Sequence, residues 1–264
     1  MTALAGVTFQ VDAGEIVGVL GPNGAGKSTL FRILSTWLAP DAGRARVLGF
    51  DTVDQALEVR QRIGYLVEHN ALYESMLVED YLEFIGRMRG LLGSRLRDRV
   101  DHVAGVCALE PVLRRRIQDC SKGNRQRVGV AAAIVHDPPV LILDEPTHGL
   151  DPIQVKAFLD FVRSLRAGRA VLFSNHVLTE LSAISDRLLV LLDGRLVADE
   201  TLPDLRARAA SAGVGLNDLL VRLVREAAET PATGGAAGAE VAEAAVAAAA
   251  EKPATERAGD TRAR

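Results

Sequence analysis

The chain has 264 residues, 48% of them hydrophobic, and a formal net charge of −3 at pH 7. That length allows one domain or two around a sizeable core, and the charge argues against a general polyanion-binding surface, so nucleic acid is not an expected partner. Cys107 and Cys120 are too few for a disulfide framework and point to a reducing compartment. No opening segment reads as a signal peptide, and no apolar run approaches the roughly 20 residues of a spanning helix. A membrane role would have to come through a partner.

In chain order, Val7 to Val11 alternate as a strand with Phe9 and Val11 on one face, and Asp12-Ala13-Gly14 turns the chain. Glu15 to Leu20 read as a buried strand. It feeds Gly21-Pro22-Asn23-Gly24-Ala25-Gly26-Lys27-Ser28-Thr29, which fits the phosphate-loop pattern G-x-x-x-x-G-K-[ST]. Polyphosphate charge needs many inward-pointing donors. Gly21, Gly24 and Gly26 let the backbone curl into a nest of N–H groups. Lys27 adds a charge that reaches β- and γ-phosphates, and Ser28 offers a hydroxyl to Mg²⁺. Lys27 to Leu38 read as a helix whose N-terminus faces the phosphates.

Pro40 to Gly43 form a turn, Arg44 to Leu48 a short strand, Asp54 to Arg60 a short helix, and Ile63 to Val67 a strand ending at Glu68. From His69 to Asp137 the pattern is helical. Val78 to Arg89 place Val78, Tyr81, Leu82 and Ile85 on one face. Ser94 is expected to cap a second helix with Leu96, Val100, Val103 and Cys107 at helical spacing. Pro111 ends it, and Arg114-Arg115-Arg116 reads as a solvated face. Ser121 precedes a third helix running to about His136.

Val140 to Leu143 form a continuous apolar run, as expected of a strand buried on both faces. Asp144 and Glu145 sit at its end: the aspartate suits a Mg²⁺ ion, and the glutamate suits a base that polarises an attacking water. A helix from Ile153 to Leu165, a strand from Ala170 to Ser174, a helix near Val177 to Ile184 and a strand from Arg187 to Leu192 complete an α/β alternation. Asp193-Gly194 reads as a hairpin turn into Arg195 to Ala198. Leu216 to Ala228 have an amphipathic helical pattern. The Ala-, Gly- and Glu-rich stretch 230–264 reads as disordered, with transient helix possible over Glu240 to Glu251.

With these residues in place, the stretch from about Ala3 to Glu200 resembles the nucleotide-binding subunits of ABC transporters. Cys120-Ser121-Lys122-Gly123-Asn124 with Arg125-Gln126-Arg127 resembles the family's signature loop and helix. Pro146 to Pro152 resembles the D-loop, Ser174-Asn175-His176 the switch-histidine segment, and Tyr65 to Glu68 the Q-loop. The resemblance implies a P-loop NTPase fold of class α/β: a mostly parallel core sheet, a small antiparallel β-subdomain, and an inserted helical subdomain over about 69–137. The nucleotide-binding domain would span 1–204, and 205–229 would form a C-terminal helical segment.

The resemblance also implies a mechanism. Two domains, identical or paralogous, close head to tail over two ATP molecules, each ATP lying between one subunit's phosphate loop and the other's signature loop. Ser121 and Gly123 would reach ATP in trans. Lys27, Glu145 as general base, and His176 would be catalytic, with His176 bridging the γ-phosphate and the opposite D-loop at Asp151. Ser28, Glu68 and Asp144 would hold Mg²⁺. A polytopic permease would dock along Glu68 to Glu79, where Leu72, Tyr73, Met76 and Leu77 supply apolar surface, placing the protein on the inner face of the cell membrane.

Four departures qualify this. Glu68 stands where the family has Gln; GYLVEHNALYE resembles the Q-loop of ABC-2-type exporters for drugs, polysaccharides or lipids. Lys122 and Asn124 replace the common Gly and Gln of the signature, and Cys120 replaces Leu. Family members also carry an adenine-stacking aromatic on a strand ahead of this start, whereas Phe9 matches a core position. A soluble ABC-type ATPase and a weakly binding, non-catalytic cassette are the alternatives.

Overall fold

The computed structural model describes residues 2–68, 71–229 and 243–246. Its centre is a six-stranded sheet in the order β5-β6-β7-β2-β8-β9, built from β2 (Ile16–Leu20), β5 (Ile63–Leu66), β6 (Val140–Asp144), β7 (Ala170–Asn175), β8 (Arg187–Leu192) and β9 (Arg195–Thr201). All pairs are parallel except β8–β9, which is antiparallel. The β8–β9 hairpin turns through Asp193 and Gly194, both at positive φ (47° and 77°), the backbone that twists a two-residue turn to match its strands.

The apolar runs are explained by which face each side chain serves. Along β6, Val140 and Ile142 enter one core cluster while Leu141 and Leu143 enter the other. Ala170 and Leu172 of β7 likewise oppose Val171 and Phe173. Both faces are therefore covered, as a parallel sheet requires. One cluster takes Phe31 and Leu34 of α1 (Lys27–Leu34) and Val59 of α2 (Ala56–Arg62). The other takes the helices α3 (Val78–Met88), α4 (Gly93–Val106) and α5 (Lys122–Ile134), followed by α6 (Pro152–Ser164), α7 (Leu178–Ile184), α8 (Leu202–Ser211) and α9 (Leu216–Glu229).

A second sheet has the order β1-β10-β3-β4, from β1 (Phe9–Val11), β3 (Arg44–Val47), β4 (Phe50–Asp51) and β10 (Glu243–Val246). β3 and β4 pair antiparallel, whereas β10 runs parallel to both of its neighbours. Phe9 and Val11 are buried as their alternation implied.

Several expectations need correction. α1 stops at Leu34 rather than Leu38, because Thr36 takes a left-handed φ of 66° that no helix continues through. Ser94 lies inside α4 and does not cap it; Leu92 holds the cap position without a side-chain bond. β4 and α8 were not read from the sequence: β4 is two residues long, and α8 is a short helix of weak amphipathicity. The expected disorder over 230–264 fails at Glu243–Val246, where sheet pairing overrides the helix preference of alanine; the rest of that stretch lies outside the described residues. In the expected helical region from His69 to Asp137, α3, α4 and α5 pack on one another.

Candidate functional site

The site forms where β2 and β6 end. β2 runs into the glycine loop, and α1 begins at Lys27. Gly26 caps α1 with φ 104°, and a Cβ there would lie 2.6 Å from the Ala3 carbonyl oxygen; Gly24 has φ 84°. Both positions use conformations that side chains rarely adopt; a side chain at Gly26 would strike the Ala3 backbone, whereas Gly24 has open space beside it. Asn23, Gly24, Gly26, Lys27, Ser28 and Thr29 line a cavity of about 490 Å³, together with Glu68, Glu145, His148, His176, Thr2 and Ala3. Gly21 and Pro22 lie behind it: their carbonyls accept hydrogen bonds from Lys27 Nζ at 2.8 and 3.2 Å. Ala25 is buried in the core under the loop.

Lys27 is 5% exposed and pairs with Glu145 at 3.3 Å. The other Glu145 oxygen lies 3.0 Å from His176 Nδ1. Glu145 itself is 8% exposed and sits at φ 44°, in the left-handed region just past the end of β6. Such a backbone costs energy in a non-glycine residue and persists where its surroundings over-determine it. Two contacts supply that constraint. The Glu145 amide donates to Ser174 Oγ at 2.9 Å, and Ser174 Oγ donates to Asp144 Oδ1 at 2.6 Å. One buried hydroxyl on β7 thus holds both acidic residues.

Ser28, Glu68 and Asp144 line a second, smaller cavity of about 220 Å³ with Tyr65 and Arg32. Hard oxygen donors around a buried carboxylate are the donor set that Mg²⁺ selects, so these three residues fit that ion. Burial and the Asp144 charge push the Tyr65 phenol above its usual range and keep it protonated.

Sequence reasoning left two site residues without a role. His148 brings a ring nitrogen within 4.8 Å of the Glu68 and Glu145 carboxylates; it lies inside the Pro146–Pro152 stretch, but nothing local marks it. Asn175, 2% exposed, donates to Thr147 Oγ1 at 2.8 Å and to Glu180 Oε2 at 2.7 Å, and accepts from the Val177 amide at 2.9 Å. It locks the His176 segment to the chain that follows Glu145.

Ser121, Gly123 and Asp151 are not among the residues lining either cavity. Ser121 caps α5, accepting from the Asn124 amide at 3.2 Å. Asp151 caps α6 in a reciprocal box with Gln154. Both are capping residues of the kind that fixes a helix start.

The chain is similar in sequence and in fold to known proteins. The family model described as "ABC transporter" matches residues 4–148. The "Daunorubicin resistance ATP-binding protein DrrA3" of Streptomyces coeruleorubidus is 41% identical over 228 residues, covering 86% of this chain and 70% of that protein. A solved ATP-binding subunit of an ABC transporter superposes with a TM-score of 0.74 at 33% identity, over 84% of this chain and 92% of that one. A dimeric bacterial ABC transporter cassette superposes with a TM-score of 0.69 at 25% identity, over 76% and 90% of the two chains.

Proposed function

Because this chain belongs to the ABC transporter family of ATP-binding subunits, we propose that it hydrolyses ATP as one half of a head-to-tail pair and drives a polytopic permease of ABC-2-type export. The observation that carries this reading is the grip on Glu145, held between Lys27 and His176 at the mouth of a glycine-lined cavity.

The residues divide the task. The loop amides and the N-terminus of α1 bind the phosphates. Lys27, now paired with Glu145, moves its charge to the β- and γ-phosphates and so frees a Glu145 oxygen. Glu145 then accepts the proton of the water that attacks the γ-phosphorus as the bond to ADP breaks. His176 keeps the carboxylate aimed while contacting the γ-phosphate. Bound at Ser28, Glu68 and Asp144, Mg²⁺ would neutralise phosphate charge. Ser121 and Gly123 reach the nucleotide of the opposite subunit, and Asp151 approaches the opposite His176. The dimeric arrangement of the related cassette supports this half of the reading.

For the permease, the groove between core and helical layers extends the expected Glu68–Glu79 surface. Leu72 and Met76 pack partly into the core and have less to offer. Tyr73, Trp37, Leu57 and Met88 are exposed, and the last three line a cavity of about 930 Å³ with Arg60 and Arg89. Solvent-facing apolar groups of this size mark a contact surface. Among the described residues no helix is long and apolar enough to cross a membrane; on this reading the subunit works from the inner face through the permease. The drug-resistance relative supports export as the direction.

The decisive experiment replaces Glu145 with Gln, which keeps shape and hydrogen bonding but removes the base. Mg-dependent ATP turnover should vanish while ATP binding persists; full turnover in that variant would refute the assignment.

A further inference from the structure

His148 is held over Glu145 by the turn that follows β6. The His148 amide donates to the Glu145 carbonyl at 3.1 Å, and the Leu150 amide donates to the Thr147 carbonyl at 3.0 Å. Thr147, 5% exposed, accepts from Asn175 of β7 at 2.8 Å. The turn is therefore pinned to the sheet just before His148. The ring itself is exposed and serves no core. One of its nitrogens, a Glu145 oxygen and a Glu68 oxygen lie within 4.8 Å of one another, and all three residues line the cavity of the glycine loop.

Glu68 has two sides. It lines the smaller cavity with Ser28 and Asp144, the set that fits Mg²⁺, whereas Glu145 and His148 do not. On its other side it faces the base. His148 stands on that second side, away from the residues that suit the metal.

Any three atoms spaced this way share a point no more than about 2.8 Å from each, an ordinary hydrogen-bond length to a water oxygen. The three groups are complementary there. Ionised carboxylates only accept, whereas a ring nitrogen carrying its hydrogen donates. Water has two O–H donors and two lone pairs. Held by two carboxylates alone, it could still swing about the line joining them. A third contact, from a donor, engages one lone pair and leaves the other for the phosphorus.

We propose that His148 donates this third hydrogen bond to the attacking water and so aims it at the γ-phosphate. The proposal rests on the ATPase reading above. The proton of the water still passes to Glu145 as the new P–O bond forms and the bond to ADP breaks. His148 gives up no proton, so its effect is on orientation and falls on kcat.

Steady-state kinetics on the full chain test it. His148→Leu, similar in bulk but without a donor, should lower kcat about tenfold. KM for ATP, the Mg²⁺ concentration giving half-maximal turnover, and the urea midpoint should stay at parental values. His148→Gln, which restores an N–H, should recover part of kcat; His148→Glu, which only accepts, should not. Parental kcat in His148→Leu overturns the proposal, as does equal recovery by Gln and Glu. So does a raised KM, which would make His148 a phosphate ligand, a raised Mg²⁺ requirement, which would make it a metal ligand, or a lowered urea midpoint, which would make the loss one of folding. Glu145→Gln assayed alongside keeps the two readings apart. Full turnover in Glu145→Gln would sink the ATPase reading itself, whereas a silent Glu145→Gln beside a parental His148→Leu would sink only the role of His148.

Discussion

The phosphate loop and the signature loop both place glycine and serine together at a helix start, yet the chain treats them in opposite ways. Around the phosphate loop the charged groups are enclosed and mutually engaged: Lys27, Asp144 and Glu145 are 5%, 3% and 8% exposed, and each has a named partner within the chain. Around the signature loop Ser121 and Lys122 are exposed, and one ordering contact is a helix cap. Enclosed charge is costly unless paired, so the first region must be nearly complete before any ligand arrives. The second region carries no such constraint. A helix cap at Ser121 and the exposed Arg125–Glu74 pair at 3.7 Å order it, as the proposed contact with the opposite subunit's nucleotide would need.

The contrast breaks most sharply at Lys27. Lys27→Ala removes the charge proposed to reach the phosphates and also leaves Glu145 buried without its cation. ATP turnover should fall by about 100-fold or more, in line with losing one electrostatic donor at a developing charge, and nucleotide binding to the isolated subunit, measured by titration, should weaken with it. Binding at parental strength would show that Lys27 is not a phosphate ligand.

Gly123→Asp should separate the two regions. A Cβ at this position has Gln154 atoms as its nearest neighbours, at ordinary contact distance, so the fold should tolerate it. A carboxylate facing a γ-phosphate repels it, and turnover should drop by roughly tenfold or more. Binding by a single subunit should stay unchanged. Mixing this variant with Lys27→Ala should restore partial turnover, since one composite site then keeps both intact loops; no recovery in the mixture would argue against a site shared between subunits.

How much of this was legible beforehand follows the same divide. The glycine loop, the apolar run ending at Asp144-Glu145, and the strand alternation at Phe9 and Val11 are local patterns, and local patterns show in sequence. Ser174 is different. It was read only as the end of a strand beside His176, and its hold on Asp144 and the Glu145 amide depends on β6–β7 register, which pairs Asp144 with Ser174. Asn175 and His148 were obscured for the same reason. The left-handed backbone at Glu145 has no signature in residue type. β10 ran against its own propensity, because its cause lies in two strands more than two hundred residues away in one case.

Ser174→Ala probes that hidden contact. Asp144 loses a short hydrogen bond and the Glu145 amide loses its acceptor, both in buried surroundings. Leaving such groups unsatisfied costs about 1–3 kcal/mol, so the urea midpoint should fall, and turnover should fall by roughly tenfold as Glu145 loses its fixed aim. Ser174→Thr, which keeps the hydroxyl, should recover part of both. A variant with parental stability and turnover would mean that the left-handed turn holds itself.

The smallest effect expected is a pH dependence from outside both loops, and it serves as their control. His136 lies in the groove between core and helical layers, where its Nε2 is 3.1 Å from the Ile63 carbonyl and its Nδ1 is buried without a partner. Neutral imidazole satisfies that pair of environments by donating from Nε2; a second proton would be stranded at Nδ1. Burial, with Arg89 nearby, lowers its pKa to about 4 from an ordinary 6.5. The unfolded chain therefore binds more protons than the folded one between those values. Stability attributable to His136 is present above pH 6.5 and is lost progressively as pH falls toward 4. The part lost by pH 5 is on the order of 1–2 kcal/mol, readable as a lower urea midpoint at pH 5 than at pH 7. His136→Gln should keep a donor to Ile63 and flatten that slope. An unchanged stability slope in that variant would show that His136 is not the group that titrates.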